Sequence, residues 1–288
     1  MESYIIFTDS ACDVKPEMLA EWGVGCRSLT FRFEGDEVEY SNEDMDIGTF
    51  YNRMREGGVA KTAAVNSETF KEAFLPYLKE GKDILYLGFS SGLSTTYNSA
   101  RIAAEELCSL YPERKIITVD TFSASLGFGL VVYLTVEKKN SGATIEEAAE
   151  YASNLQKNMC HWFTVDDLVY LKRGGRVSPT VAFVGNLLGV KPVLHMDNEG
   201  HLINMFKVRG RKMAINALAD KYDELAEEPD NSVVFISHAD CLKDAEYLAG
   251  LIKARHGVDV KLIGDVGTVI GAHAGPGTLA LFFIGKER

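Results

Sequence analysis

The chain has 288 residues, of which 46% are hydrophobic and 25% charged, a composition typical of a globular protein with one large or two modest domains. Its formal net charge of −11 disfavours nucleic acid or an anionic membrane surface as the main partner. No apolar run reaches the roughly 18 residues that a transmembrane helix needs, and the first residues lack the basic and apolar regions of a signal peptide.

Residues 1–160 alternate short apolar runs with amphipathic segments, and this alternation predicts an α/β fold with a doubly wound, mainly parallel sheet. The predicted strands are 4–7, 25–33, 83–87 and 115–119. The predicted helices begin near residue 16, with Asp13 as cap, and continue with 47–56, 68–79 capped by Ser67, a helix ending near 111, 123–139 and 144–160.

A hydroxyl-rich loop, Gly88–Tyr97, follows the third predicted strand and leads into a helix. Loops at the carboxyl ends of parallel strands are where open α/β sheets bind ligands. A helix start also offers unpaired N–H groups and a partial positive charge. The loop therefore fits a small anion, either a carboxylate or a phosphate. It fits equally well a Ser/Thr cap that only starts the helix.

The second half has an α+β pattern, so we predict domains at residues 1–160 and 161–288. A hairpin is predicted from 191–195 and 202–208, with its turn at 198–200. The other predicted strands are 162–164, 233–237, 258–263 and 279–284. The predicted helices are 166–172, behind a capping box at Thr164 and Asp167, then 180–188, 212–226 and 240–255.

Positive charge is concentrated in the second half. One cluster surrounds the glycine pair at 174–175, and the other lies at the end of the predicted hairpin. The clusters consist of Lys172, Arg173 and Arg176, and of Lys207, Arg209, Arg211 and Lys212. Arginine forks match the geometry of carboxylates and phosphates. The clusters therefore indicate either an anion site or an acidic partner surface, and the alternative is a basic face in contact with water.

His273 lies in a glycine-rich segment, 271–277, which we interpret as a loop. Glycines let the backbone approach a ligand closely, and a histidine there can donate or carry a proton. The alternative is a turn histidine without a role. Asp9, Asp13 and Asp120 stand near strand ends, where they could bind a cation, act as bases or cap helices.

Most familiar catalytic signatures are absent. The sequence Gly88-Phe89-Ser90-Ser91-Gly92 does not have the G-x-S-x-G spacing of a nucleophile elbow, and no P-loop pattern occurs. No pair of histidines has metal-binding spacing and the five cysteines show no C-x-x-C pair, so we predict no metal, no disulfide framework and no cofactor. Reduced thiols suggest a cytoplasmic protein. An enzyme using Ser91 or Ser94 as nucleophile and His273 as base remains the alternative to a binding protein.

Six segments, in order along the chain, resemble the DegV family of bacterial fatty-acid-binding proteins. They are Thr8-Asp9-Ser10 with Asp13, Lys61-Thr62 leading to Ser67, Ser90 to Tyr97, Leu171 to Arg176, Lys207 to Lys212, and Gly271 to Gly277. The sequence departs from the family pattern at 63–66, which lacks the usual Ser-x-Pro, and at Thr95, where the family commonly has glycine.

This resemblance implies two α/β domains with one long-chain fatty acid held between them. It implies that Thr62, Ser91, Ser94, Arg176 and His273 bind the carboxylate. Such proteins are similar to the acyl-carrying subunit of bacterial fatty acid kinase, which has no activity of its own. A separate ATP-dependent kinase subunit phosphorylates the bound carboxylate to an acyl phosphate for phospholipid synthesis. Arg209 would then serve the kinase contact or phosphoryl transfer.

A fatty acid would be held mainly by its chain. About 15 methylenes contribute roughly 12 kcal/mol on burial at ~0.8 kcal/mol each. The tunnel is therefore expected to be apolar, with the polar end fixing orientation. Candidate lining residues are Phe122, Leu126, Phe128, Phe163, Leu168, Phe183, Leu187, Leu188, Val193, Phe282 and Ile284.

Overall fold

The computed structural model describes residues 4–177, 189–230 and 232–288. Its strands are β1 (Tyr4–Asp9), β2 (Val24–Arg27), β3 (Thr30–Phe33), β4 (Tyr40–Ser41), β5 (Ala60–Ala63), β6 (Asp83–Gly88), β7 (Ile116–Asp120), β8 (Met159–Thr164), β9 (Val190–Met196), β10 (Leu202–Arg209), β11 (Phe235–His238), β12 (Leu262–Asp265) and β13 (Leu279–Ile284).

Its helices are α1 (Pro16–Glu21), α2 (Ile47–Arg55), α3 (Ser67–Lys79), α4 (Thr96–Leu110), α5 (Ser125–Asn140), α6 (Ile145–Leu155), α7 (Val169–Gly174), α8 (Arg211–Leu225), α9 (Leu242–His256) and α10 (Thr268–Ala274). The predicted helix 180–188 lies outside the described residues. Most predicted elements of the other segments are present, with boundaries that differ by a few residues.

The first half is built on a four-stranded parallel sheet with strand order β2-β1-β6-β7. Strand β6 is buried along its whole length, as expected for a strand that is covered on both faces. Helices α3 and α4 pack together, as do α5 and α6, and both pairs contact β7. The predicted mainly parallel α/β sheet is therefore confirmed.

The second half is built on a six-stranded sheet with strand order β10-β9-β8-β13-β11-β12. All neighbours in this sheet are antiparallel except β11 and β12. The predicted hairpin corresponds to β9 and β10, and Gly200 occupies its turn with a φ of 77°. Helix α5 of the first half packs against β8, β11 and β13 of this sheet. Since β8 begins at Met159, the predicted boundary near 160 lies at a change of sheet, although the division into 1–160 and 161–288 stays a prediction.

A third sheet, β4-β3-β5, was not predicted. The single strand expected at 25–33 is wrong, because the chain leaves the parallel sheet after Arg27 and starts β3 at Thr30. At this corner the backbone N–H of Leu29 donates to Ser10 Oγ at 3.0 Å. Phe31 and Phe33 then pack against Phe50 of α2. This small sheet positions Thr62 on β5.

Three predicted helix caps are also wrong. Asp13 has a φ of 54° and accepts a hydrogen bond from Ser125, whereas α1 follows Lys15. Asn66, not Ser67, caps α3, since its Oδ1 accepts from Thr69 N at 2.9 Å. The predicted capping box at Thr164 does not form, because α7 begins only at Val169. At α3 the neighbouring Asn66 competes with Ser67 for the cap, and at Asp13 the partner Ser125 is distant in the sequence, so periodicity alone does not reveal either arrangement.

Candidate functional site

A cavity of about 580 Å³ lies among β5, the loop between β6 and α4, the end of α7 and α10. This volume is within the range of about 300–1,000 Å³ usual for ligand pockets. The five residues predicted to bind an anion, which come from four separate segments, all line it: Thr62, Ser91, Ser94, Arg176 and His273. Much of the remaining lining is apolar, so the cavity suits an amphipathic ligand.

Two carboxylates, at the ends of the strands on either side of β6, hold the loop of residues 89–95, which we call the serine loop. Asp9 Oδ2 accepts from Tyr86 Oη at 2.7 Å and from Phe89 N at 3.0 Å. Asp120 accepts from Ser91 N at 3.3 Å. Burial raises the pKa of Asp9 to about 6, and burial also raises the pKa of Asp120. Within the described residues, both act as hydrogen-bond acceptors for the loop that carries Ser91 and Ser94.

The turn of the β9–β10 hairpin also holds the serine loop. Ser90 is fully buried, and its hydroxyl donates to Gly200 O at 2.9 Å and accepts from Gly92 N at 3.2 Å. A Cβ on Gly92 would lie 2.7 Å from the carbonyl oxygen of Glu199, which explains a glycine at that position. The second half of the chain therefore helps to shape the loop of the first half.

Ser94 has two roles in the geometry. Its hydroxyl lies 2.9 Å from Thr96 Oγ1 and accepts from Thr96 N at 3.2 Å, so it satisfies an N–H group at the start of α4. The same residue lines the cavity, as does the exposed Ser91. Capping a helix and facing a ligand are thus compatible at this residue.

Thr62 and His273 form a half-buried polar pair. Thr62 Oγ1 lies 2.8 Å from His273 Nε2. Burial, together with the positive charge of Arg176, lowers the pKa of His273 to about 4, so the imidazole is neutral near pH 7. Within the described parts of the chain, His273 Nδ1 has no hydrogen-bond partner.

The segment around His273 is a helix and not the predicted loop. Helix α10 runs from Thr268 to Ala274 and ends at Gly275, which has a φ of 82°. Only glycine fits at position 271 of this helix, because a Cβ there would lie 2.4 Å from Tyr51 Oη. At the end of α7, a Cβ on Gly174 would lie 2.2 Å from His273 Nδ1. Gly174 therefore allows the imidazole to pack closely against α7, and Gly271 allows Tyr51 to pack closely against α10.

The arginines differ in their position. Arg176 is exposed at the edge of the cavity, where its Nε donates to Leu93 O at 3.2 Å and a terminal nitrogen donates to Gly174 O. Arg209 is exposed at the end of β10 and is not among the residues lining this cavity. Arg211, by contrast, is tied to Asp244 at 2.8 Å. The second basic cluster is thus outside the cavity.

Sequence reasoning found part of the apolar lining. Of the predicted tunnel residues, Phe163 and Phe282 line the cavity, whereas Phe128 and Val193 are fully buried core residues outside it. Phe183, Leu187 and Leu188 lie outside the described residues. The lining also includes residues that no sequence pattern indicated: Leu29, Phe89, Leu171, Met196, Val269 and Ile270, together with the polar His161, Ser125, Ser237 and Thr278.

The arrangement does not provide a serine–histidine pair. A nucleophile and its base need a mutual hydrogen bond. In the described residues, His273 Nε2 is paired with Thr62, and Ser94 Oγ is paired with Thr96. The geometry therefore favours binding of an anion over covalent catalysis by Ser91 or Ser94.

The fold and the cavity define a mixed α/β protein with a largely apolar binding site that has a polar end. The family model described as "Uncharacterised protein, DegV family" matches residues 3–286. The chain belongs to the DegV family.

Named relatives agree with this assignment. The chain is 42% identical to a DegV domain-containing protein of Clostridium perfringens over 100% of this chain and 99% of that protein. It is 37% identical to a fatty acid-binding protein of Thermotoga maritima, with 98% of each chain covered. A crystal structure of a stearic acid-binding protein from Eubacterium ventriosum superimposes with a TM-score of 0.88 at 26% identity, covering 98% of both chains. DegV relatives are thus named as fatty-acid-binding proteins.

Among the described residues, none of the helices is long and apolar enough to cross a membrane. The same residues contain no group of three or more His, Cys, Asp or Glu side chains that could hold a metal ion.

Proposed function

We propose that the protein binds one long-chain fatty acid in the cavity and presents its carboxylate to a separate ATP-dependent kinase subunit. The observation that carries the binding step is the meeting of Thr62, Ser91, Ser94, Arg176 and His273 on one largely apolar cavity. Relatives over the whole chain length are named as fatty-acid-binding proteins, which supports the same ligand.

The carboxylate is bound mainly by neutral donors. The hydroxyls of Thr62, Ser91 and Ser94 supply hydrogen bonds, and Arg176 supplies positive charge at the exposed edge. Hydrogen bonds from neutral donors fix the orientation of the head group, whereas burial of the chain provides most of the affinity. The apolar wall that includes Phe163 and Phe282 receives the chain.

Neutral His273 sets the direction of the Thr62 hydroxyl. If the imidazole carries its proton on Nε2, it donates to Thr62 Oγ1, and the Thr62 hydroxyl is then free to donate to the carboxylate. A neutral imidazole does this without placing a second full charge beside Arg176. The pair therefore acts as a single donor aimed at the ligand.

The kinase step accounts for the basic residues outside the cavity. Transfer of a phosphoryl group to a carboxylate requires cations that stabilise the charge on the transferring group. Exposed Arg209 at the end of β10 is available for that contact. The resulting acyl phosphate would enter phospholipid synthesis, and the ATP requirement places the reaction in the cytoplasm. The protein itself contributes binding and presentation, without turnover of its own.

The binding step is tested by mass spectrometry of lipid extracted from the purified protein. We expect about one fatty acid per chain, and a lower affinity for added fatty acid in Ser94→Ala. The matched control is Ser109→Ala, which removes a hydroxyl from the exposed side of α4, the helix that follows the serine loop, where it donates to Glu105 O. Failure to recover lipid, together with failure to bind added fatty acid, would refute the proposal.

A further inference from the structure

The half-buried Arg288 joins three segments of the chain through backbone carbonyl groups. Its Nε donates to Met196 O, at the end of β9, at 3.3 Å. One terminal nitrogen donates to Gln156 O at 2.9 Å, and the other donates to Phe122 O. Met196 lines the cavity whereas Arg288 does not, so Arg288 can affect a ligand only through the groups that it holds.

The segment 121–125, to which Arg288 donates, has an unusual backbone. Phe122 has a φ of 45° and Ser125 has a φ of 53°, and residues other than glycine keep such values only where the surrounding structure holds them. Ser125 lines the cavity. Ser123 O accepts from Ser90 N at 3.1 Å, so the segment supports the serine loop directly.

The charge of Arg288 also acts on Asp120, the carboxylate that accepts from Ser91 N at 3.3 Å. The same carboxylate accepts from Phe122 N at 3.0 Å. Burial raises the pKa of Asp120, and these hydrogen bonds together with the positive charge of Arg288 oppose that rise. Arg288 thus favours the charged form of Asp120, which is the stronger acceptor. One guanidinium therefore supports two of the groups that hold the serine loop.

We propose that Arg288 is a positioning residue for the carboxylate site, and that its hydrogen bonds keep segment 121–125 in the conformation that orients the serine loop towards a carboxylate. This inference rests on the proposed function, since it concerns how the same head group is bound. Without the guanidinium, the strained segment loses a contact that maintains its backbone, and the loop hydroxyls lose their fixed direction. The apolar wall at Phe163 and Phe282 is held by the pairing of β8 with β13 and does not depend on this contact.

The test compares hexadecanoic acid with hexadecan-1-ol, which has the same chain but no carboxylate, by displacement of a fluorescent fatty acid. Arg288→Met keeps an unbranched side chain and removes the donors. We expect its affinity for the acid to fall about tenfold and its affinity for the alcohol to change by less than about twofold. Arg288→Lys keeps the positive charge but lacks the fork that reaches three carbonyl groups, so it should also bind the acid more weakly.

Arg114→Met is the matched control. Arg114 also donates to a backbone carbonyl, Gly81 O, and lies 3.5 Å from the carboxylate of Asp83, but it is not among the cavity-lining residues. This variant loses the same charge and the same type of hydrogen bond, and it should bind both ligands as the wild type does.

The comparison of acid with alcohol separates positioning from general stability. An equal loss of affinity for both ligands in the Arg288 variants overturns the inference, as does unchanged affinity for the acid in Arg288→Met. Wild-type affinity for the acid in Arg288→Lys also overturns it, because the charge alone would then account for the effect. If urea denaturation shows that Arg288→Met does not fold, Arg288→Lys provides the same comparison. Failure of the wild type to bind hexadecanoic acid or any other long-chain fatty acid overturns the proposed function instead.

Discussion

Thr62 Oγ1 and His273 Nε2 lie 2.8 Å apart although 211 residues separate them in the chain. Thr62 is on β5 of the small antiparallel sheet, and His273 is in the last turn of α10. Helix α10 contacts both β3 and β5, so the pair joins the two ends of the sequence at the cavity. If the pair acts as one hydrogen-bond donor to the carboxylate, replacing either residue should remove the same contribution to fatty acid affinity.

Thr62→Val removes the hydroxyl and keeps the branched shape. We expect fatty acid affinity to fall about tenfold, since one hydrogen bond to a charged acceptor contributes about 1.5–3 kcal/mol. Thr69→Val, at a half-buried position in α3 that is not among the cavity-lining residues, is the matched control and should bind normally. In a double-mutant cycle, His273→Gln should add little to Thr62→Val, and full additivity would show that the two residues act separately.

Gly174→Ala tests the packing behind the imidazole. A Cβ at this position would lie 2.2 Å from His273 Nδ1, so the ring must move and its contact with Thr62 must lengthen. We expect weaker fatty acid binding in an otherwise folded protein, measured by titration with a fluorescent fatty acid. Gly250→Ala in α9 is the control, because a Cβ there meets nothing within 4 Å. Unchanged affinity in Gly174→Ala would mean that the position of His273 does not matter for binding.

Much of the fold and the residue types of the site could be predicted from the sequence. The strand–loop–helix pattern identified β6, the serine loop and α4, because a short buried run followed by hydroxyls is a local signal. The pairing of Thr62 with His273 could not be predicted from local pattern, because the contact depends on a small sheet whose strands have only two to four residues.

Other parts of the site were missed because they depend on neighbours distant in the sequence. The segment of α10 was interpreted as a loop because glycine has a low helix propensity. The reason for glycine at position 271 is that Tyr51 occupies the space where a Cβ would lie. His161 gave no functional signal, since a histidine within an apolar strand looks like a core residue. Its place in the cavity wall follows from the position of β8 in the six-stranded sheet.

The neutral state of His273 predicts a dependence of stability on pH. Its pKa in the folded protein, about 4, is below the ordinary value of 6.5, so the unfolded chain binds the proton more readily. The stabilising contribution is complete above pH 6.5 and is lost as the pH falls from 6.5 towards 4. We expect the urea midpoint of the wild type to fall more steeply over this interval than that of His273→Gln.

The measurement must compare the two proteins, because other buried groups titrate in the same interval. His195 has a pKa of about 4 and changes stability in the same direction. Burial raises the pKa of Asp9 to about 6 and that of Asp13 to about 7, and these raised values contribute stability that is lost as the pH rises. These terms are common to wild type and variant. Equal slopes in both proteins would contradict a buried neutral His273.

Arg209→Ala separates binding from phosphoryl transfer. Because Arg209 is exposed and is not among the cavity-lining residues, the variant should retain bound fatty acid at the wild-type level. Phosphorylation of that fatty acid by an added ATP-dependent kinase subunit should fall at least about tenfold, because a cation that stabilises the transferring group is lost. Arg101→Ala, which removes an exposed arginine paired with Glu105 on α4, controls for the change in net charge. Loss of bound lipid in Arg209→Ala would instead place this residue in the binding site, and normal phosphorylation would leave the second basic cluster without a role in transfer.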